Sequence, residues 1–221
     1  MSLFFIPPLW NLADFIYFCI CFNLACYAAE PNSRFSPVAR MHLHAVAMEK
    51  ETPYIYSRPV LEWMTVCTEF CKFLEQCGNE EPTRFNDVMR GLLPMLYLRT
   101  SLLEKTGEEV AGYTEDHVSE DDYNYIEANV RRVTGSQNEY LDVFVEDFKY
   151  SDQPVLRTVS EDLADCYQAV RNAVEIFREG HEEAMQVAVE EVIDSFRQYW
   201  GQRLLNALRA LHDARFSDLY E

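Results

Sequence analysis

Two pairs of carboxylates, Asp162-x-x-Asp165 and Glu191-x-x-Asp194, are the residues of this chain whose spacing best suits chemistry. Side chains three apart on a helix share a face, and oxygen ligands gathered from facing helices suit Mg²⁺, a hard cation. A hairpin at Gly180 would bring Asp165 level with Phe196 and let the pairs converge. Helical nucleotide pyrophosphatases use a comparable acidic pattern, so the chemistry would be Mg²⁺-dependent hydrolysis of a phosphorylated small molecule. The competing reading is structural. Asp162 near a helix start is favoured by the dipole, Asp165 pairs with Arg197, and Glu191 and Asp194 face solvent. A phosphate clamp is missing nearby, where the sequence offers Arg171, Arg178 and Arg197.

Other chemistry-bearing residues give weaker patterns. Cys67 and Cys71 lie four apart with Cys77 beyond them, and no Cys-x-x-Cys occurs to support a zinc or redox motif. On a helix such cysteines serve as small apolar core residues. His42, His44, His117, His181 and His212 include no Glu-x-x-His and no His-Glu-x-x-His, so histidine-based metal sites are not expected. Trp200-Gly201 is a further candidate. A glycine inside a helix costs about 1 kcal/mol relative to alanine, so Gly201 marks a bend or a close helix approach. Trp200 then either lines a ligand pocket beside it or packs in the core.

The elements that must position these residues are helices. Ser57 and Pro59 start the first, with Val60, Trp63, Met64, Cys67, Phe70, Cys71 and Leu74 as its apolar stripe and Gly78 as its stop. The second begins near Thr83 and carries Phe85, Val88, Met89, Leu92 and Leu96, with Gly91 and Pro94 expected to kink it. Residues 108–117 read as a long acidic loop. Ser119 and Asp122 resemble a capping box for a third helix running to Gly135. A short fourth helix is predicted around Tyr140, Leu141, Phe144 and Phe148, then a connection over Ser151–Pro154. Ser160 opens the fifth, striped by Leu163, Tyr167, Val170, Val174 and Phe177. The sixth and longest runs from Met185 to Leu211. The expected fold is therefore all-α, a six-helix bundle or short helical array with no sheet and no fixed-period repeat.

Charge bounds the partners. The chain has 19 Lys+Arg against 37 Asp+Glu, a net of −18. Residues 1–48 are neutral, with Arg34 and Arg40 against Asp14 and Glu30, so the whole excess falls on residues 49–221. Such a surface repels phosphate backbones and anionic lipid, so direct nucleic-acid binding is not expected. A partner protein with a basic face is. The shift near Met48 separates an apolar extension, 1–48, from a single acidic helical domain, 49–221. The extension has three readings: a segment foreign to the domain, with Met41 or Met48 as the true start; a poor signal or anchor; or an ordered part of the core. Its charge-free run, Phe15 to Ala29, is short of the roughly 20 residues of a membrane span. The expected setting is cytoplasmic, or envelope-associated if residues 1–29 are a genuine anchor.

The segments Glu139–Phe148 (EYLDVFVEDF), Leu163-Ala-Asp-Cys-Tyr167, Tyr199-Trp-Gly-Gln and Ala207-Leu-Arg-Ala-Leu-His212, in that order, resemble a bacterial family of helical proteins common in the Bacteroidales, domain of unknown function 5063. The likeness covers residues 57–215 and implies an all-helical cytoplasmic protein. It brings no activity, cofactor or catalytic residue with it. The leading functional reading is thus a non-catalytic interaction or regulatory module without a cofactor; the alternative is the Mg²⁺-dependent hydrolase.

Overall fold

The computed structural model describes residues 53–106, 112, 114–142 and 153–217. The expectations for residues 1–48, for Phe144 and Phe148, and for half of the 108–117 loop lie outside them. Contacts along the chain group Thr52–Glu221 as one unit.

Helix α1 spans Arg58–Gln76 and α2 spans Pro82–Ser101; both begin with a proline in the first turn, where no N–H is needed. Ser57 occupies the N-cap position of α1 without making a side-chain cap bond, so proline rather than the serine hydroxyl sets this start. α2 continues through Pro94. Helix α3, Glu120–Thr134, opens with a complete capping box between Ser119 and Asp122. Those hydrogen bonds from Ser119 hold the Asp122 carboxyl below its ordinary range. α4 spans Val159–Glu179 and starts one residue earlier than Ser160 predicts. Thr158 is the cap, its hydroxyl accepting from the Glu161 N–H at 3.2 Å. Gly180, at φ +79°, ends α4 in the left-handed conformation that glycine adopts without penalty. α5 (Glu182–Ser195), one π-helical turn (Phe196–Trp200) and α6 (Gly201–Phe216) then form a continuous rod.

Five of the six expected helices are present as these rods. Where the short fourth was expected, Glu139–Asp142 forms strand β1, paired antiparallel with β2, Val155–Thr158. The expectation of no sheet is corrected accordingly. The register sets Leu141 opposite Leu156, Tyr140 opposite Arg157 and Asp142 opposite Val155. This ribbon reverses the usual pattern, since Asp142 is buried while Leu141 is 61% exposed. Hydrophobic spacing therefore misleads here, and neither the strand nor its orientation shows in four residues.

α4 is the hub, packing against α1, α3, α5 and α6, while α2 packs on α1 and α6. Trp63, Phe70, Leu163 and Trp200 are fully buried in the shared core. Burying such side chains contributes roughly 1.5–3 kcal/mol each. Cys67, Cys71, Cys77 and Cys166 are buried free thiols within it. Among the described residues, no helix is long and apolar enough to cross a membrane.

Candidate functional site

Asp162 and Asp165 point from one face of α4 toward residues from four other segments. Tyr123 (α3) donates its hydroxyl to Asp165 Oδ1 at 3.0 Å, and Tyr199, from the π-helical turn, donates to Oδ2 at 2.6 Å. Tyr140 (β1) donates to Asp162 Oδ2. Arg203 (α6) lies between the two carboxylates, 3.4 Å from Asp162 Oδ1 and 3.5 Å from Asp165 Oδ2, with its guanidinium 5.0 Å from the centre of the Tyr199 ring. A second ion pair from the ribbon, Arg157 Nε to Asp142 Oδ2 at 2.9 Å, adjoins this network. Asn206 (α6) also donates to Asp142 Oδ2, at 3.3 Å.

The π-helical turn sets this geometry. A Cβ on Gly201 would lie 2.5 Å from the carbonyl oxygen of Phe196, so glycine is required where the widened turn closes. The same turn sends Trp200 inward, 4.8 Å from the Phe196 ring, with its indole N–H donating to Ser195 Oγ at 3.1 Å. Tyr199 points the other way, to Asp165. Insertions of this kind recur at functional sites because they re-aim side chains within a helix. Trp200 and Gly201, weighed above as pocket residues, thus stand in the core and orient the neighbours that reach the carboxylates.

Burial pushes the Asp162 carboxyl up to about 6, and the nearby Asp165 charge adds to the rise; the Tyr140 hydrogen bond and the charges of Arg203 and Arg157 oppose it. The Tyr123, Tyr140 and Tyr199 hydroxyls are held above their ordinary range, first by burial and then by the carboxylates they bond. They stay protonated as donors.

Glu191 and Asp194 have different partners. Glu191 accepts from the Thr114 hydroxyl, Asp194 pairs with Lys105 Nζ at 2.6 Å, and Glu190 accepts from the Thr106 N–H at 2.9 Å. These α5 carboxylates hold Lys105 and Thr106, just after α2, and Thr114, before α3. Asn172 holds His117 and Val118, its Oδ1 accepting from their N–H groups at 2.9 and 3.0 Å. The two acidic pairs therefore engage separate groups. Among the described residues, no set of three or more His, Cys, Asp or Glu side chains is placed to hold a metal ion.

Asp162 and Asp165 stand together as their spacing predicts, but Arg197, the expected partner of Asp165, is exposed on the π-helical turn. Arg203, Tyr123, Tyr140 and Arg157 were missed. The Tyr199-x-x-x-Arg203 spacing was the available signal for one of them, since it places both on one face. The ribbon residues carried no signal, because their element was unforeseen.

Beside Asp165 the network opens into a cleft of about 410 Å³, whose walls include Tyr199, Arg131, Arg157, Arg203, Glu127 and Glu161. The Asp162 and Asp165 oxygens beside it accept from tyrosine and arginine.

The model of the family described as "Domain of unknown function (DUF5063)" matches residues 54–217. The chain belongs to the DUF5063 family. Its solved relatives include protein BF1032 of Bacteroides fragilis, a structural genomics target whose crystal structure is similar with a TM-score of 0.66 and 32% sequence identity, over 74% of this chain and 96% of that one. No curated protein matches the chain. The DUF5063 match includes α3, both strands and α4 to α6, so all segments of the carboxylate network fall within the family domain.

Proposed function

We propose that this DUF5063 domain is a non-catalytic, cytoplasmic interaction or regulatory module that binds a basic partner protein through its β-ribbon. The observation that carries the reading is the outer face of that ribbon. Leu141 and Leu156 are direct cross-strand partners and are 61% and 60% exposed. Opposed residues share a sheet face, so they form one apolar step of a two-stranded sheet whose outer edges can template a further strand. A two-stranded ribbon is marginal by itself, yet here its inner face is held to the helices by the Tyr140–Asp162 and Asn206–Asp142 contacts. An apolar step on a domain carrying the whole −18 of the chain suits an extended apolar segment flanked by Lys or Arg. The buried free thiols Cys67, Cys71, Cys77 and Cys166 accord with a reducing compartment.

The test is affinity capture from host lysate by the full chain, beside Leu141→Ser and Leu156→Ser variants, at low and moderate salt. A stoichiometric basic protein lost from both variants and weakened by salt supports the reading. Capture that is indifferent to both substitutions refutes the ribbon as the docking surface, and indifference to salt refutes the electrostatic part.

A further inference from the structure

We infer that the cleft beside Asp165 binds a free amino acid, holding its carboxylate and its ammonium group at once. The charge of the cleft differs from that of the molecule. The chain as a whole is at −18, yet the cleft walls hold three guanidinium groups, Arg131, Arg157 and Arg203, and three carboxylates, Glu127, Glu161 and Asp165. A simple anion or cation entering it meets as many repelling groups as attracting ones. A molecule carrying both charges meets partners for each.

Arg131 is paired with Glu127 at 2.6 Å and Arg157 with Asp142 at 2.9 Å, so the capacity for such a ligand lies in Arg203 and the exposed Glu161. Arg203 makes its two ion-pair contacts at 3.4 and 3.5 Å, well beyond the roughly 2.8 Å of a tight charge-assisted hydrogen bond. Arginine carries five N–H donors in a planar fork matched to a carboxylate. Tyr199 is 48% exposed and borders the cleft, which places an aromatic ring beside Asp165 and Glu161 for an ammonium group to approach. A volume of about 410 Å³ lies within the range of small-molecule sites. Arg157 also links the cleft to the ribbon, since it belongs to β2 and lines the cleft.

The experiment is isothermal titration and thermal denaturation of the full chain with each of the standard L-amino acids. Inorganic phosphate and the N-acetyl and methyl-ester forms of any amino acid that binds serve as controls. Saturable binding by one amino acid or a related group is expected, with both blocked forms weaker by about tenfold or more and phosphate inert. Glu161→Gln, at an exposed position on the cleft wall, keeps the fold and weakens the ammonium end. Arg203→Lys retains the charge but loses the fork, and weakens the carboxylate end. If none of the amino acids binds saturably, the inference is overturned. Equal binding of the blocked forms, or unchanged affinity in folded Glu161→Gln and Arg203→Lys proteins, overturns it as well. Ribbon capture of a partner is read in a separate assay, so either result stands without the other.

Discussion

Asp162→Asn isolates the energetics of the most deeply buried carboxylate among the described residues. Asp162 is 1% exposed, and its carboxyl is raised from the ordinary 3.8 to about 6. That is a shift of about two pH units, and each unit is worth about 1.4 kcal/mol of preference for the protonated form. The folded protein therefore binds more protons than the unfolded chain between about pH 4 and pH 6. Stability contributed by this group is full below about pH 4 and is lost as pH rises through 6, by about 3 kcal/mol in all. Asparagine does not titrate there, and its side-chain oxygen can still accept from Tyr140. Urea unfolding of both proteins from about pH 3.5 to pH 7.5 should show the stability of wild type relative to Asp162→Asn falling by about 3 kcal/mol across that window. A constant offset from altered hydrogen bonds is removed by reading only the pH dependence. A flat difference, or one that grows in favour of wild type as pH rises, would refute the reasoning. The latter would mean that Arg203, Arg157 and Tyr140 outweigh burial.

Three further outcomes follow from single contacts. Gly201→Ala sets a Cβ against the Phe196 carbonyl and should cost about 1–3 kcal/mol in urea unfolding, the usual range for overpacking; a neutral result would show that the π-helical turn relaxes freely. Asn172→Ala leaves two backbone N–H groups without their acceptor and should cost about 2 kcal/mol, with hydrogen exchange accelerating at His117 and Val118. Burial holds the Cys77 thiol up at about 12 and raises Cys67, Cys71 and Cys166 as well. Peptide mapping after brief native alkylation should therefore find these four unmodified, and labelling of any of them before unfolding would contradict the described core.

Local physics was legible in the sequence. The apolar stripes of α1 to α6, the proline that opens α1, the capping box at Ser119 and the helix-ending glycine at position 180 act within a turn or two of their own residues. A helical periodicity needs no knowledge of the partner it packs against. The family likeness followed from the same local stretches. What the tertiary structure decided depends on groups distant in sequence. β1 exists because Glu139–Asp142 meets Val155–Thr158 and because Asp142 finds Arg157 and Asn206 there. Those compensations allow a buried aspartate and an exposed leucine, against what either residue type favours alone. Arg203 rather than Arg197 reaches Asp165 because the π-helical turn alters which side chains of the last rod face α4. The carboxylate spacing on α4 and α5 placed each pair on a helix face, but a face has no meaning until its neighbour is known. Asp162 and Asp165 met tyrosines and an arginine, whereas Glu191 and Asp194 met Thr114 and Lys105.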